Sequence, residues 1–372
     1  MEFSMGTGKI DKTVVILALL LVSIGVVMVY SASAVLAVKH FGDSFYFFKR
    51  QLIWAAVGIV TLMIVAMTPY SLWHRISTPM ILLSCLLLIS VLIPHVGIEV
   101  NGSHRWLKWS SFSFQPSELV KLAIVVYLAR YLSRKDSQLE DFLHGFFPPV
   151  VMVGAVLLLV MGEPDLGTSV LIGMVAGCLL FVGGARYSHL LTLAVLLIPV
   201  AVGLVMGTGY RRHRFLSFLD PWNHQADGGF QVIQSFLALG GGGPLGTGLG
   251  EGRQKLFFLP EPHTDFIFSV LGEELGFLGA AVVLILYLIL IARGLMISIH
   301  ADQPFGYYLG LGISLMLGLQ VMMNVGVVTG LLPTKGLTLP FLSYGGSSLV
   351  TSLAGIGIIL SISKRCEATR RG

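Results

Sequence analysis

Residues 13–38 read TVVILALLLVSIGVVMVYSASAVLAV and carry no charged side chain. A helix needs about 20 apolar residues to cross the hydrocarbon core of a bilayer, so this run is long enough to span one. It follows Lys9 and Lys12 and ends in Ser31, Ala32 and Ser33, which resembles a signal-peptidase site. Its apolar stretch exceeds a usual signal core, so it reads as a retained span, and cleavage or retention alike leaves the N-terminus cytoplasmic. Nine further apolar runs bounded by charged or turn residues follow, at 50–67, 77–95, 116–131, 146–161, 167–184, 189–207, 266–292, 305–330 and 343–363. The fourth carries Lys121 and Arg130 and the fifth is short, but they are consecutive, so the sidedness of every later run holds with or without them.

The composition agrees. Of 372 residues, 55% are hydrophobic and 12% charged, against roughly 45–50% and 25% in a soluble domain. So little charge excludes an ordinary soluble fold. The expected architecture is an all-α polytopic integral membrane protein with ten transmembrane helices: a cytoplasmic tail at 1–12, one membrane domain at 13–363 and a short cytoplasmic tail at 364–372. A large extracytoplasmic loop, 208–265, separates helices seven and eight. It is rich in aromatic, basic and glycine residues and poor in the composition of disorder, so it is expected to be ordered over a cavity.

The net charge of +5 is spread thinly, with no block that would track a nucleic-acid backbone. Cys85, Cys178 and Cys366 form neither a disulfide framework nor a metal motif. In this topology the 24 Lys and Arg divide 12 to 12 between the two sides. Orientation therefore rests on Lys364, Arg365, Arg370 and Arg371 in the tail and on Arg130, Arg134 and Lys135. The outer basic residues oppose the usual bias, which points to an anion on that side.

The segment 254–279, QKLFFLPEPHTDFIFSVLGEELGFLG, places His263, Thr264 and Asp265 where the long loop enters an apolar helix. Thr264 or Asp265 can cap that helix, and a helix N-terminus favours an ionised carboxylate, which suits a general base. Cap and catalyst are both open from local sequence. Glu273 and Glu274 lie about two turns further on, with Glu273 closer to the face of Asp265. Charges at that depth need a partner or a function, and structural pairing is the default.

Other polar groups carry two readings each. Trp106 and Trp109 are interfacial anchors, or part of a lid in which Arg105 and Lys108 meet phosphates. Glu118 and Lys121, three apart, neutralise each other on one helical face. Glu163, Pro164 and Asp165 read as a turn rather than as a metal site. Arg211, Arg212 and Arg214, with Arg253 and Lys255, fit a pyrophosphate or anionic headgroups equally well. The glycine run 240–252 lacks the context of a nucleotide loop and reads as mobile. Asn101, Gly102 and Ser103 match a glycosylation sequon that carries no weight. Pro333 and Pro340 exclude a regular helix around Lys335, which is either an interfacial anchor or a phosphate ligand.

Taken in order, YSAS at 30–33, GSHRW and FQPSE in the second outer loop, EPDLGTS at 163–169, YRRHRFLSFLDPW at 210–222, LPEPHTDFIFSVLGEELGFLG and GLLPTKGLTLPFLSYGGSS resemble the SEDS family (shape, elongation, division and sporulation). These are membrane glycosyltransferases of bacterial cell-wall synthesis, and the resemblance covers essentially the whole chain. PTKGLTLPF and DPW resemble the division branch more than the elongation branch; a sporulation paralogue would look nearly the same.

The resemblance implies the SEDS-type fold and polymerisation of lipid II into glycan strands during septal synthesis, with undecaprenyl pyrophosphate leaving. It implies a catalytic role for Asp265, the aspartate of HTDFIF. It also implies contacts with substrate or pyrophosphate for Arg105, Trp106, Glu118, Lys121, Arg211, Arg212, Arg214, His263, Glu273, Lys335 and Ser343. The partners implied are lipid II and undecaprenyl-linked glycan, a class B penicillin-binding protein of the FtsI type, and FtsQ, FtsL and FtsB. The location implied is the bacterial cytoplasmic membrane at the septum, with both termini cytoplasmic. A divalent cation, Mg or Mn, is left open, with Asp265 its one candidate ligand. The competing classes are a lipid II flippase, with Glu273, Glu274 and Lys121 lining its path, and a scaffold that recruits the transpeptidase.

Overall fold

The computed structural model describes residues 10–93, 97–100, 103–109, 112–135, 139–207, 209–225, 229–256, 259–334 and 336–369. Every predicted run coincides with a helix. These are α1 (Lys12–Phe41), α2 (Tyr46–Met67), α3 (Ser71–Leu92), α4 (Pro116–Lys135), α5 (Phe147–Gly162), α6 (Leu166–Val182) and α7 (Tyr187–Met206), then α10 (Ile267–Ile299), α11 (Pro304–Val328) and α12 (Gly346–Thr369). By length and composition seven of them can cross a membrane: α1, α2, α3, α5 with its leading turn, α10, α11 and α12. Helix α6 and the first part of α7 are shorter apolar helices.

Helix α4 carries the most charge for a physical reason. It sits in the centre of the bundle against α3, α6, α11 and α12, with Val120, Ala123, Val125, Leu128 and Ala129 fully buried. Protein, not lipid, surrounds it, so Lys121 finds its partners there. Helices α11 and α12 are also mostly buried, whereas α1, α2 and α3 expose apolar side chains.

Local chemistry sets the helix ends. The Asp11 carboxylate accepts from Thr13 N–H at 2.9 Å and Val14 N–H at 3.2 Å, capping α1, and takes the guanidinium of Arg293 at 2.5 Å from α10. Asp165 caps α6, accepting from Thr168 N–H at 3.0 Å and Thr168 Oγ1 at 2.9 Å. Gly25 of α1 lets the backbone at Phe341 approach so closely that a Cβ there would meet its carbonyl oxygen.

One outer loop differs from its expected form, and another contains short helices. The second outer loop is a three-stranded antiparallel sheet, a departure from an all-α chain: β1 (Gly97–Val100), β2 (Ser103–Trp109) and β3 (Phe112–Phe114), in the order β1-β2-β3. Ile98 pairs with Trp106 and Leu107 with Phe114. The long loop contains α8 (Gly209–Leu219) and α9 (Phe230–Gly242), in keeping with the expected order.

The glycine run after α9 is bonded in place, not mobile. Helix α10 breaks at Gly276, whose φ of +68° favours glycine. At that break Phe277 N–H donates to Gly243 O at 2.9 Å and Leu278 N–H to Pro244 O at 3.1 Å. The loop thus satisfies the amides that the kink frees.

Candidate functional site

Three consecutive carbonyls hold the corner that carries Asp265. Tyr344 N–H donates to His263 O at 2.8 Å, Ser343 Oγ donates to Thr264 O at 2.6 Å, and Asn324 Nδ2 donates to Asp265 O at 2.9 Å. Ser343 Oγ also accepts from Leu339 N–H at 2.8 Å, and Asn324 Nδ2 also reaches Leu337 O at 2.7 Å. The last outer loop and α11 are therefore fastened along the backbone of 263–265. Helix α10 begins two residues later, with Phe266 in the cap position and no side-chain cap bond. Neither Thr264 nor Asp265 caps it: the Thr264 hydroxyl donates backwards to Glu261 O at 3.0 Å.

The Asp265 carboxyl is half-buried and its pKa is pushed up to about 7. Desolvation is the main cause; Glu261 and Asp165 push in the same direction, while Arg214 and Arg105 oppose it. The expectation of a carboxylate kept ionised by a helix dipole is thus overturned, because the side chain caps nothing and loses water.

Arg105 reaches the site from β2. Its Nε donates to Glu163 O at 3.0 Å and its Nη2 to Pro164 O at 2.7 Å, so the acidic turn between α5 and α6 orients the guanidinium through backbone. A Cβ on Gly336 would lie 3.3 Å from Asp265 Oδ2 and 3.9 Å from Arg105 Nη1. The bare glycine lets the last outer loop pass beside both groups. Glu163 is fully buried, neither carboxyl oxygen has a partner among the described residues, and its pKa rises to about 8 through desolvation and Asp165, against Arg105.

Arg214, on α8, is half-buried and Arg212 is exposed. The Arg211 side chain and Lys335 lie outside the described residues, as do Asn101, Gly102, Arg370, Arg371 and the Lys108 side chain. Trp106 is half-buried on β2.

Four predicted contact residues are engaged in the frame of the site. His263 is 3% exposed between the rings of Phe47 and Tyr344, at centroid distances of 4.4 and 5.5 Å, and burial lowers its pKa to about 4. It is a neutral packing ring. Ser343 is buried, its hydroxyl taken up by the two bonds above. Glu118 and Lys121 form a buried pair at 2.8 Å, and Lys121 Nζ donates to Gln320 Oε1 at 2.9 Å. Gln320 Nε2 continues to Thr338 O at 2.8 Å, so this chain joins α4, α11 and the last outer loop.

Glu273 does not face the site. Its oxygens accept from Arg253 N–H at 2.7 Å and Gln254 N–H at 3.2 Å. Glu274 binds Lys255 Nζ at 2.5 Å and Ser31 Oγ at 2.6 Å. The default reading of structural pairing therefore describes both glutamates.

Sequence reading missed Gln320 and Asn324. Both lie within the apolar run 305–330 and are four residues apart, hence on one helical face, and buried amides in a span need partners. That spacing was an available signal.

Comparison with known proteins accords with this architecture. A family model described as "Cell cycle protein", covering FtsW, RodA and SpoVE, matches residues 11–368. The chain is 47% identical over 360 residues to the Geobacter sulfurreducens protein named "Probable peptidoglycan glycosyltransferase FtsW", covering 96% of each. It is 46% identical over 356 residues to "Stage V sporulation protein E" of Bacillus subtilis, covering 95% of this chain and 97% of that one. Among solved structures it matches a chain from "Structural coordination of polymerization and crosslinking by a peptidoglycan synthase complex", with TM-score 0.80, 32% identity and coverage of 96% and 98%. It also matches the rod shape determining protein RodA of Thermus thermophilus, with TM-score 0.71, 29% identity and coverage of 95% and 96%. Sequence motifs, helix order and superposition agree over nearly the full length, and the chain belongs to the SEDS family of FtsW, RodA and SpoVE.

Proposed function

We propose that this chain polymerises lipid II into glycan strands at the outer face of the cytoplasmic membrane during septal wall synthesis, with Asp265 as the general base. It is a multi-pass membrane glycosyltransferase of the FtsW type. The observation that carries the site is Asp265 itself: a half-buried carboxyl with a pKa near 7, beside Arg105 and Arg214, on a corner fixed by three carbonyl bonds. A base near the operating pH supplies roughly 100- to 10,000-fold in such a step.

In the proposed step Asp265 takes the proton of the GlcNAc 4-hydroxyl of the acceptor. That oxygen attacks C1 of the MurNAc at the reducing end of the growing strand. The bond from C1 to pyrophosphate breaks, undecaprenyl pyrophosphate leaves, and inversion of the α-linked donor gives a β linkage. Arg105 and Arg214, together with Arg211 and Arg212 of α8 and with Lys335, offset the charge that grows on the leaving group.

Among the described residues no three His, Cys, Asp or Glu side chains gather into a metal cage, and Asp165 is occupied by Thr168. A Mg or Mn ion would be held on the protein side by Asp265, where it would offset charge on the pyrophosphate. The steps above do not depend on one. Glu273, Glu274 and Lys121 are all engaged within the protein, which favours the enzyme over the flippase reading.

Partnership with a crosslinking transpeptidase, a class B penicillin-binding protein of the FtsI type, and with FtsQ, FtsL and FtsB belongs to this proposal, as does a topology with both termini cytoplasmic. The test is polymer formation from labelled lipid II by the purified chain, with and without transpeptidase, in wild type and Asp265→Asn. Polymer that depends on Asp265 is expected. Full polymerisation by Asp265→Asn at pH 7 would remove the base, and lipid II translocation without polymer would favour the flippase.

A further inference from the structure

Between α3 and α4, at the end of the bundle away from Asp265, lies a half-open cavity of about 280 Å³ lined by Ser77, Thr78, Tyr127, Arg130, Tyr131 and Arg134. Pro116 begins α4 beside the sheet, and Arg130 lies fourteen residues further, about 21 Å along the helix. This volume sits just below the small-molecule range of about 300–1,000 Å³.

The cavity wall is mostly apolar, and it gathers a few polar groups for which the fold shows no internal need. Arg130 and Arg134 are one turn apart on one face, a spacing at which like charges repel. No carboxylate is among the described residues that line it. Thr78 Oγ1 accepts from Arg130 Nη1 at 2.7 Å, which holds the guanidinium across the gap between the helices. Ser77 is fully buried, and its hydroxyl has no hydrogen-bond partner among the described residues. Tyr131 is fixed from behind, its hydroxyl donating to Gly145 O at 2.8 Å. Two guanidiniums, an unsatisfied hydroxyl and a rigid aromatic wall are the groups that a phosphate requires. Toward the middle of the bundle, α3 exposes Leu82, Leu83 and Leu86, an apolar surface on which an acyl chain can lie.

We propose that this cavity binds the phosphate of an anionic phospholipid headgroup. Basic pockets between transmembrane helices recognise such headgroups. Lipid-borne phosphate has a second source, the pyrophosphate of an undecaprenyl carrier, and the experiment separates the two.

The full chain, purified in detergent, is incubated with dioleoylphosphatidylglycerol, dioleoylphosphatidylcholine or undecaprenyl pyrophosphate, and retained lipid is counted by native mass spectrometry. Wild type is expected to retain phosphatidylglycerol over phosphatidylcholine by roughly thirtyfold, the effect of two basic groups at a lipid surface. Arg130→Gln with Arg134→Gln should abolish that preference, and Arg130→Lys with Arg134→Lys, which keeps charge but loses the guanidinium fork, should fall between. Arg186→Gln, an exposed arginine paired with Glu140, should leave it intact. Equal retention of the two phospholipids by wild type overturns the proposal without need of any variant. An unchanged preference in the Gln double variant, or undecaprenyl pyrophosphate displacing phosphatidylglycerol in an arginine-dependent way, overturns it too.

Discussion

One stretch of chain carries two acidic sites with opposite fates. At 265 a half-buried carboxyl stands at a corner whose backbone is bonded three times while the side chain caps nothing. About two turns along, Glu273 and Glu274 are more deeply buried, yet each has its donors: backbone N–H groups for one, Lys255 and Ser31 for the other. Burial of an acid therefore does not mark the reactive group. What separates Asp265 from this pair is a fixed backbone with lone pairs left open, because catalysis needs the acceptor that structure has not already filled.

The largest expected effect tests that contrast directly. Asp265→Asn should lower the polymerisation rate roughly 100- to 10,000-fold while leaving the chain folded. It should even melt a few degrees higher than wild type at pH 8. The sign follows from the raised pKa: stability from the neutral carboxyl is complete below the usual aspartate range near 3.8 and is lost as pH rises through about 7. The melting difference should vanish at pH 4. A variant that lost activity by unfolding would erase the distinction between the two sites.

The next effect concerns the paired site. Glu274→Ala leaves Lys255 buried without its anion and should destabilise the chain by about 3–5 kcal/mol, read by chemical or thermal unfolding in detergent. Glu274→Gln with Lys255→Met should recover most of that loss. A Glu274→Ala chain that melts like wild type but makes no polymer would turn the structural site into a catalytic one.

Smaller again is the effect of the clamp. Asn324→Leu removes the donor to Asp265 O and Leu337 O while keeping the volume apolar, and should cost about 1–3 kcal/mol of stability for the carbonyls left unmet. Its polymerisation should fall with little change in lipid II affinity, since the clamp positions Asp265 and touches no substrate. Equal activity at equal protein concentration would break the link between a fixed backbone and a working side chain.

How far the sequence carried these conclusions depends on the distance of the deciding partner. The ten runs were legible as helices because apolar length is a local property. Asp265 was legible as a residue, and its motif named the family. The helix start was not, because the donors that unwind 263–265 come from residues 324, 343 and 344; the Asn324 and Ser343 bonds close sequence gaps of 59 and 79 positions. The glycine run read as mobile for the same reason: what orders it is the kink at Gly276 and two glutamates on another element. The sheet at 97–114 hid behind Trp and Lys residues that also suit an interface. Arg105 was visible as a phosphate candidate, but not its orientation by the Glu163 and Pro164 carbonyls, which required α5 and α6 to be placed beside β2.

The finest test asks whether the charges around Asp265 tune it as their signs require. Activity should rise with pH through about 7 as the carboxyl ionises. Glu261 raises that pKa, so Glu261→Gln should move the midpoint of the pH–rate profile to lower pH. Arg214 lowers it, so Arg214→Gln should move the midpoint upward, with an added fall in the plateau if Arg214 also meets the pyrophosphate. Each shift is expected to be a fraction of a pH unit, because desolvation is the dominant cause and neither substitution restores water. The opposite directions are what matter. Two shifts of the same sign, or a midpoint unmoved by both, would mean that the titrating group in the rate profile is some other acid, with the buried Glu163 and its pKa near 8 the next to examine.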